Sequence, residues 1–198
     1  MENISINIAR IYYPVKTLGP GDRMGIWLAG CTRSCEGCIS PDFRSEASGR
    51  PVEVGRLMEM IKEYISESGK SDDSCVMRHG VTISGGEPFM QPEGLRALVS
   101  EIRKYTEDII IFTGYLYEEL LEKNNEDINK ILSMTGMLVD GPYVESLNDG
   151  TGMRGSSNQR FIILNHPQYY DHPENWERKI QGAVYGNKII TIGIPGKI

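Results

Sequence analysis

Three of the chain's four cysteines, Cys31, Cys35 and Cys38, fall within eight positions of "GCTRSCEGC". Thiolates bind soft metals, exchange with disulfides or pair with one another, so the spacing is weighed against each chemistry. A structural zinc site asks for four ligands, and the nearest further candidates, Cys75 and His79, make no second knuckle of familiar spacing. A disulfide framework is foreign to a reducing compartment and leaves one of three clustered cysteines over. Cys35 and Cys38 do form C-x2-C, but a thioredoxin-like pair opens a helix and has no use for Cys31. Iron–sulfur ligation fits better, because closely spaced thiolates on one loop reach neighbouring corners of a cluster. Three ligands then leave one iron without a protein partner, and an open metal position is where a substrate binds directly. Spacing alone ranks these chemistries and leaves all of them standing. Cys75, in "SDDSCVMRHG", reads as a small buried hydrophobe without a catalytic role.

The cysteine loop needs a rigid support, and "MGIWLAG" (24–30), a short apolar run ending in glycine, reads as the buried strand that delivers it. A helix is predicted over 51–68, with Val54, Leu57, Met58, Ile61 and Ile65 at helical spacing, Pro51 near its start and Gly69 after its end. Then come a strand at 81–86, a helix at 92–106, a strand at 108–114, helices at 117–124 and about 127–134, and strands at 136–143 and 159–165. Such alternation predicts an α/β fold with a parallel sheet and crossover helices. Chemistry in these folds gathers in loops at the carboxyl ends of strands, where the cysteines, "SGGEP", "TGY" and "DGPY" all stand. The stretch 40–50 reads as a surface loop. Residues 165–198 read as an appendage, with two His-Pro pairs followed by a hairpin turning near Gly186 and Asn187.

Bulk properties narrow the setting. A chain of 198 residues with 39 % hydrophobic and 24 % charged residues matches one soluble globular domain with or without an appendage. No apolar run approaches the roughly 20 residues of a membrane span, and no membrane partner is expected. The start, "MENISINIARIYYPV", lacks the basic, apolar and small-residue regions of a secretory signal, so a cytoplasmic location is the default expectation. A net charge of −6 with no basic block argues against nucleic acid as a partner.

The C-x3-C-x2-C motif followed by "SGGEP" after the next strand resembles the radical S-adenosylmethionine superfamily. "YYPVKTLGPGDR", "TGY", "LVDGPY" and "RGSSNQR" extend the resemblance, over about 8–164, to the glycyl-radical enzyme activases and among them the activating proteins of anaerobic ribonucleotide reductase. That resemblance implies a partial (β/α) barrel as a radical S-adenosylmethionine core over 1–164; the hairpin-like appendage of 165–198 lies beyond it and is expected to pack on the core. It implies a 4Fe-4S cluster on Cys31, Cys35 and Cys38 whose reduced form splits S-adenosylmethionine into methionine and a 5′-deoxyadenosyl radical. That radical would take hydrogen from a glycine of a glycyl-radical enzyme, first the anaerobic reductase, with electrons from a flavodoxin-like or thioredoxin-linked donor. No side chain beyond cluster and cofactor is then needed for the chemistry itself.

The remaining site residues follow from the same resemblance. Gly85 and Gly86 let backbone approach the ligand, Glu87 accepts from the methionine ammonium and Pro88 fixes the turn. Thr113, Gly114 and Tyr115 meet the nucleoside half, and Ser156, Asn158 and Gln159 line the pocket. Asp140 stands near the nucleoside or a cation, with a turn cap as its equal alternative. Arg23, in "GPGDR", is placed beside the opening for a protein substrate. Gly37 stands where much of the superfamily has an aromatic that stacks near adenine, which leaves that packing to Ile39 or Tyr115. Two rival functions remain: activation of another glycyl-radical enzyme such as pyruvate formate-lyase, or radical modification of a peptide docked on the hairpin. A third is a non-enzymatic iron–sulfur or zinc binding module.

Overall fold

The structure is a computed structural model that describes residues 4–67 and 80–196, so Cys75 and His79 lie outside the described residues. Seven strands form one sheet: β1 (Ser5–Val15), β2 (Arg23–Leu28), β3 (Arg50–Glu53), β4 (Val81–Gly85), β5 (Ile109–Phe112), β6 (Met137–Asp140) and β7 (Arg160–Ile163). Their order is β3-β1-β2-β4-β5-β6-β7. The expected parallel sheet holds for its four central strands, β2, β4, β5 and β6. Both flanks are antiparallel, which corrects the expectation of parallel pairing throughout. The reason at β7 is the connection before it: residues 141–159 carry only a short 3-10 turn, and an antiparallel return needs no crossover helix.

Two further corrections concern the flank. Residues 5–15 form a long strand that no sequence signal picked out. Residues 51–53, predicted as the first turn of a helix, instead join Arg50 in β3 and pair with Ser5–Ile8. Pro51 has no N–H to give a ladder and is tolerated because β3 is an edge strand. The helices are α1 (Val54–Glu67), α2 (Pro92–Ile102), α3 (Tyr117–Glu122) and α4 (Glu126–Met134). α2 ends before the expected 106, and Thr106 Oγ1 accepts from the Asp108 amide at 3.1 Å as the chain turns into β5. Among the described residues no helix is long and apolar enough to cross a membrane.

The two-residue period of the central strands divides the core. Ile109, Ile111 and Leu138 pack with Leu57, Leu95, Leu98 and Ile131 of the helices. Ile110, Met137 and Val139 point to the other face, where they meet Trp27 and Leu18. A largely parallel sheet needs cover on both faces, and the helices supply only one. The second cover comes from the tail: β8 (Ile180–Tyr185) and β9 (Lys188–Gly193), a hairpin turning at Gly186 and Asn187 as its sequence predicts, bury Ala183 and Ile192, with Ile194 just beyond β9. Gln181 fastens it to the end of β1, accepting from the Lys16 amide at 2.7 Å and donating to the Pro14 carbonyl at 2.9 Å.

Arg23 is fully buried, unlike a residue at the mouth of a site. Its Nη1 and Nη2 meet Asp108 Oδ2 and Oδ1 at 2.6 and 2.9 Å, and its Nε donates to Thr82 Oγ1 at 2.7 Å. Tyr170 of the tail donates its hydroxyl to Asp108 Oδ1 at 2.9 Å. These groups sit at the amino ends of β2, β4 and β5, the edge of the sheet opposite the cysteine loop. Arg23 therefore ties strands and tail together, and the expectation that it meets a protein substrate gives way.

Candidate active site

The cysteine loop leaves the carboxyl end of β2 and is held by its own backbone. Gly30 and Cys31 donate their amides to the carbonyls of Phe43 and Arg44, both at 2.9 Å, so the expected surface loop at 40–50 folds back as a brace. From the neighbouring strand, Gly86 donates to Leu28 O and Glu87 to Gly30 O, both at 2.8 Å. These bonds bring the glycine turn after β4 against the first residues of the cysteine loop. A β-carbon on Gly86 would collide with the Gly30 carbonyl, which is backbone and cannot swing aside. Gly86→Ala is expected to cost about 1–3 kcal/mol as an overpacked contact and to push Cys31 out of register. Iron retained per chain after anaerobic reconstitution should fall well below that of the parent.

Cys31, Cys35 and Cys38 are part-exposed free thiols lining one cavity of about 250 Å³. Gly85, Gly86, Glu87, Thr113, Gly114 and Gln159 line it too, and Trp27, Phe112 and Ile192 place it on the tail's face of the sheet. Burial raises the Cys31 thiol above its ordinary pKa, and the negative charge of Glu87, Cys38 and Cys35 adds to the rise, against a hydrogen bond with the Arg33 backbone. Three soft sulfur donors on one short loop suit a cationic group that takes them as thiolates. Among the described residues no three His, Cys, Asp or Glu side chains close on one ion, an arrangement that would suit zinc. A multi-iron cluster gives each thiolate its own corner, so the cysteine loop fits it.

Glu87 is almost wholly buried and serves as the hub of the site. Its Oε1 accepts from Thr113 Oγ1 at 2.8 Å and from the Phe89 amide at 3.1 Å, and its Oε2 accepts from the Gly114 amide at 2.7 Å. Burial raises its pKa, while those three bonds and the Arg33 charge oppose the rise. A carboxylate so bonded retains capacity for a further donor from the cavity. Thr113 and Gly114 thus act first by aiming Glu87, and buried Pro88 opens the turn that brings Phe89 to it.

Several expected residues lie elsewhere. The Tyr115 ring has Arg33 and Lys123 each 4.4 Å from its centre, which occupies it with cations, whereas Ile39 lines the cavity. Asp140 takes the cap alternative: its Oδ2 accepts from the Tyr117 amide at 2.7 Å and its Oδ1 from Arg160 Nε at 3.0 Å. Gln159 lines the cavity and clasps its wall, accepting from Gly155 N at 2.7 Å and donating to Gly141 O at 2.9 Å. Ser156 accepts from the Val144 amide and Asn158 donates to the Pro142 carbonyl, so both brace that wall from behind. The Glu145 carboxylate fills the space a side chain at 37 would need. Sequence reasoning passed over Arg33 and the tail's Thr191 and Ile192 among the lining residues; a cation inside the cysteine motif was the one available signal.

A three-thiol loop braced at the carboxyl ends of parallel strands defines a protein that carries one iron–sulfur cluster, and residues 17–162 match the family model of the 4Fe-4S single cluster domain. The chain is 32 % identical over 155 residues to the anaerobic ribonucleoside-triphosphate reductase-activating protein of Escherichia coli K12, covering 75 % of this chain and 93 % of that one. The protein of the same description from Salmonella typhi is 34 % identical over 155 residues with the same coverage, and that of Enterobacteria phage T4 is 30 % identical over 159, covering 78 % and 92 %. The chain belongs to the family of anaerobic ribonucleoside-triphosphate reductase-activating proteins. The family-model match stops at residue 162, before the tail.

Proposed function

We propose that this chain is a radical S-adenosylmethionine enzyme that activates an anaerobic ribonucleotide reductase by removing hydrogen from one of its glycines. The observation that carries the reading is the convergence of Cys31, Cys35, Cys38, Gly85, Gly86, Glu87, Thr113 and Gly114 on one cavity at the carboxyl ends of β2, β4 and β5. When bound on the three cysteines, the reduced cluster supplies the electron that splits S-adenosylmethionine into methionine and a 5′-deoxyadenosyl radical. The protein's share is placement. Glu87, aimed by Thr113 and Gly114, binds the methionine ammonium by a charge-assisted bond. Gly85 and Gly86 bring backbone close, Ile39 and Phe112 give apolar wall to the nucleoside, and Gln159 keeps the far wall shut. Asp140, Tyr115, Ser156 and Asn158 support these walls.

In this reading residues 1–164 form the partial barrel of the superfamily and 165–198 cover its inner face. The reaction runs in the cytoplasm with a flavodoxin-like or thioredoxin-linked donor. The test mixes anaerobically reconstituted protein, reductant, S-adenosylmethionine and the anaerobic reductase. Formation of 5′-deoxyadenosine together with a glycyl-radical doublet in electron paramagnetic resonance is the expected result. Cofactor cleavage with no doublet would move the reading to another glycyl-radical enzyme or a peptide. Zinc in place of iron, with no 5′-deoxyadenosine, would make the protein a binding module.

A further inference from the structure

Arg33 sits inside the cysteine loop and lines the cavity without a role in the scheme above. Its guanidinium lies over the Tyr115 ring, 4.4 Å from the centre, an arrangement that fixes the plane of the fork. The side chain runs along Gly114, where a β-carbon would stand 2.6 Å from Arg33 Cδ and 2.9 Å from Nε. The glycine of "TGY" thus makes room for this arginine as well as donating to Glu87. The guanidinium makes one hydrogen bond among the described residues, from Nη2 to Glu119 Oε2, and it is long at 3.4 Å. Its Nε is buried with no partner. A buried donor without an acceptor is a standing cost that an incoming anionic group would relieve.

The surroundings say which anion. Glu87 lies on the other side of the same glycine, its Oε2 3.4 Å from the position a Gly114 β-carbon would take. A phosphate would meet the repulsion of Glu87 and of three thiolates. A group carrying a cation and an anion on adjacent atoms would satisfy both residues at once, and an α-amino acid is such a group. We infer that Arg33 binds the α-carboxylate of the methionine moiety of S-adenosylmethionine, forming with Glu87 a two-ended clamp across Gly114 that selects a zwitterion. The inference rests on the S-adenosylmethionine reading of the cavity and adds to it the residue that reads the acid end. A fork held flat by Tyr115 presents two parallel donors to a carboxylate, which an ammonium on a flexible stem does not.

The test separates the clamp from that reading. Cluster-reconstituted parent, Arg33→Gln and Arg33→Lys proteins are titrated without reductant, so that nothing is cleaved, against S-adenosylmethionine and against its decarboxylated analogue, which lacks the group in question. Arg33→Gln is expected to weaken S-adenosylmethionine about 10- to 100-fold, as loss of a charge-assisted contact does, and to leave the analogue's affinity unchanged. Arg33→Lys should fall between. Iron per chain, measured for each variant, controls for damage to the loop. Equal weakening of both ligands, or of neither, overturns the clamp while parent binding leaves the wider reading intact. A parent that binds neither ligand overturns both.

Discussion

Replacing Cys35 by alanine is expected to abolish cluster retention and 5′-deoxyadenosine formation while leaving the metal-free fold as stable as the parent's. The loop that carries Cys35 is fixed by backbone bonds at Gly30 and Cys31 on one side and Phe43 and Arg44 on the other, none of which involves the thiol. Cys35 is part-exposed, so in the metal-free protein its truncation should fall within about 0.5 kcal/mol, the ordinary range for substitutions away from core features. The loaded protein behaves differently, because metal bound only by the folded chain adds its binding free energy to stability. The parent should therefore melt at a higher temperature with its cluster than without, and Cys35→Ala should show no such gap. Iron analysis, 5′-deoxyadenosine assay and melting with and without reconstitution check the three parts. Cleavage at the parent rate by the alanine variant would remove the three-cysteine site from the argument.

The centre of the sheet was legible because its four parallel strands are short apolar runs that end in glycine or an acid at the edge where loops gather. The flanks were not. β1 is half-exposed along much of its length, so its pattern is neither a clean alternation nor a solid apolar run. β3 borrows its identity from β1, and Val52 and Pro51 beside a helical pattern read as more helix until the partner strand is known. The hairpin was visible at its turn, but its role was hidden. Ile180, Val184 and Ile189 are exposed, Ile189 by 87 %, while Ala183 and Ile192 are buried, so both faces carry apolar residues and the pattern does not say which one covers the sheet.

The site divides along the same line. Cysteine spacing and "GGEP" are local signals, and Cys31, Cys35, Cys38, Gly85, Gly86 and Glu87 do line one cavity. Asp140 has two readings in the sequence and Arg23 a misplaced one because what decides them is far off in the chain: Arg160 and the Tyr117 amide take the first, Asp108 and Tyr170 surround the second. A turn rich in glycine before a strand looks alike whether its arginine turns outward to a partner or inward to a buried carboxylate. Only the amino end of β5 supplies that carboxylate.

Asp108→Ala should then be strongly destabilising although it lies far from the cavity. It removes the carboxylate that two guanidinium nitrogens of buried Arg23 meet, while the Thr82 hydroxyl and the Val81 carbonyl stay in place. Breaking a buried pair from one side costs about 3–5 kcal/mol. Against a typical total of about 5–15 kcal/mol that is a large share, and for a chain of this size it lowers the melting temperature by roughly 6–20 °C. Tyr170 loses its shorter bond in the same step and keeps the 3.4 Å bond to the Ile109 carbonyl, so the tail should loosen and amide exchange in β8 and β9 should quicken. Arg23→Met combined with Asp108→Leu removes both charges and should recover most of the loss, since a buried pair replaced by apolar groups of similar volume is often close to neutral. Both proteins, assayed well below their melting temperatures, should load a cluster and form 5′-deoxyadenosine near the parent rate, because the pair stands at the amino ends of the strands. If Asp108→Ala instead kept the parent's melting temperature and lost partner activation, the framework role of Arg23 would fall and a role toward the protein substrate would return.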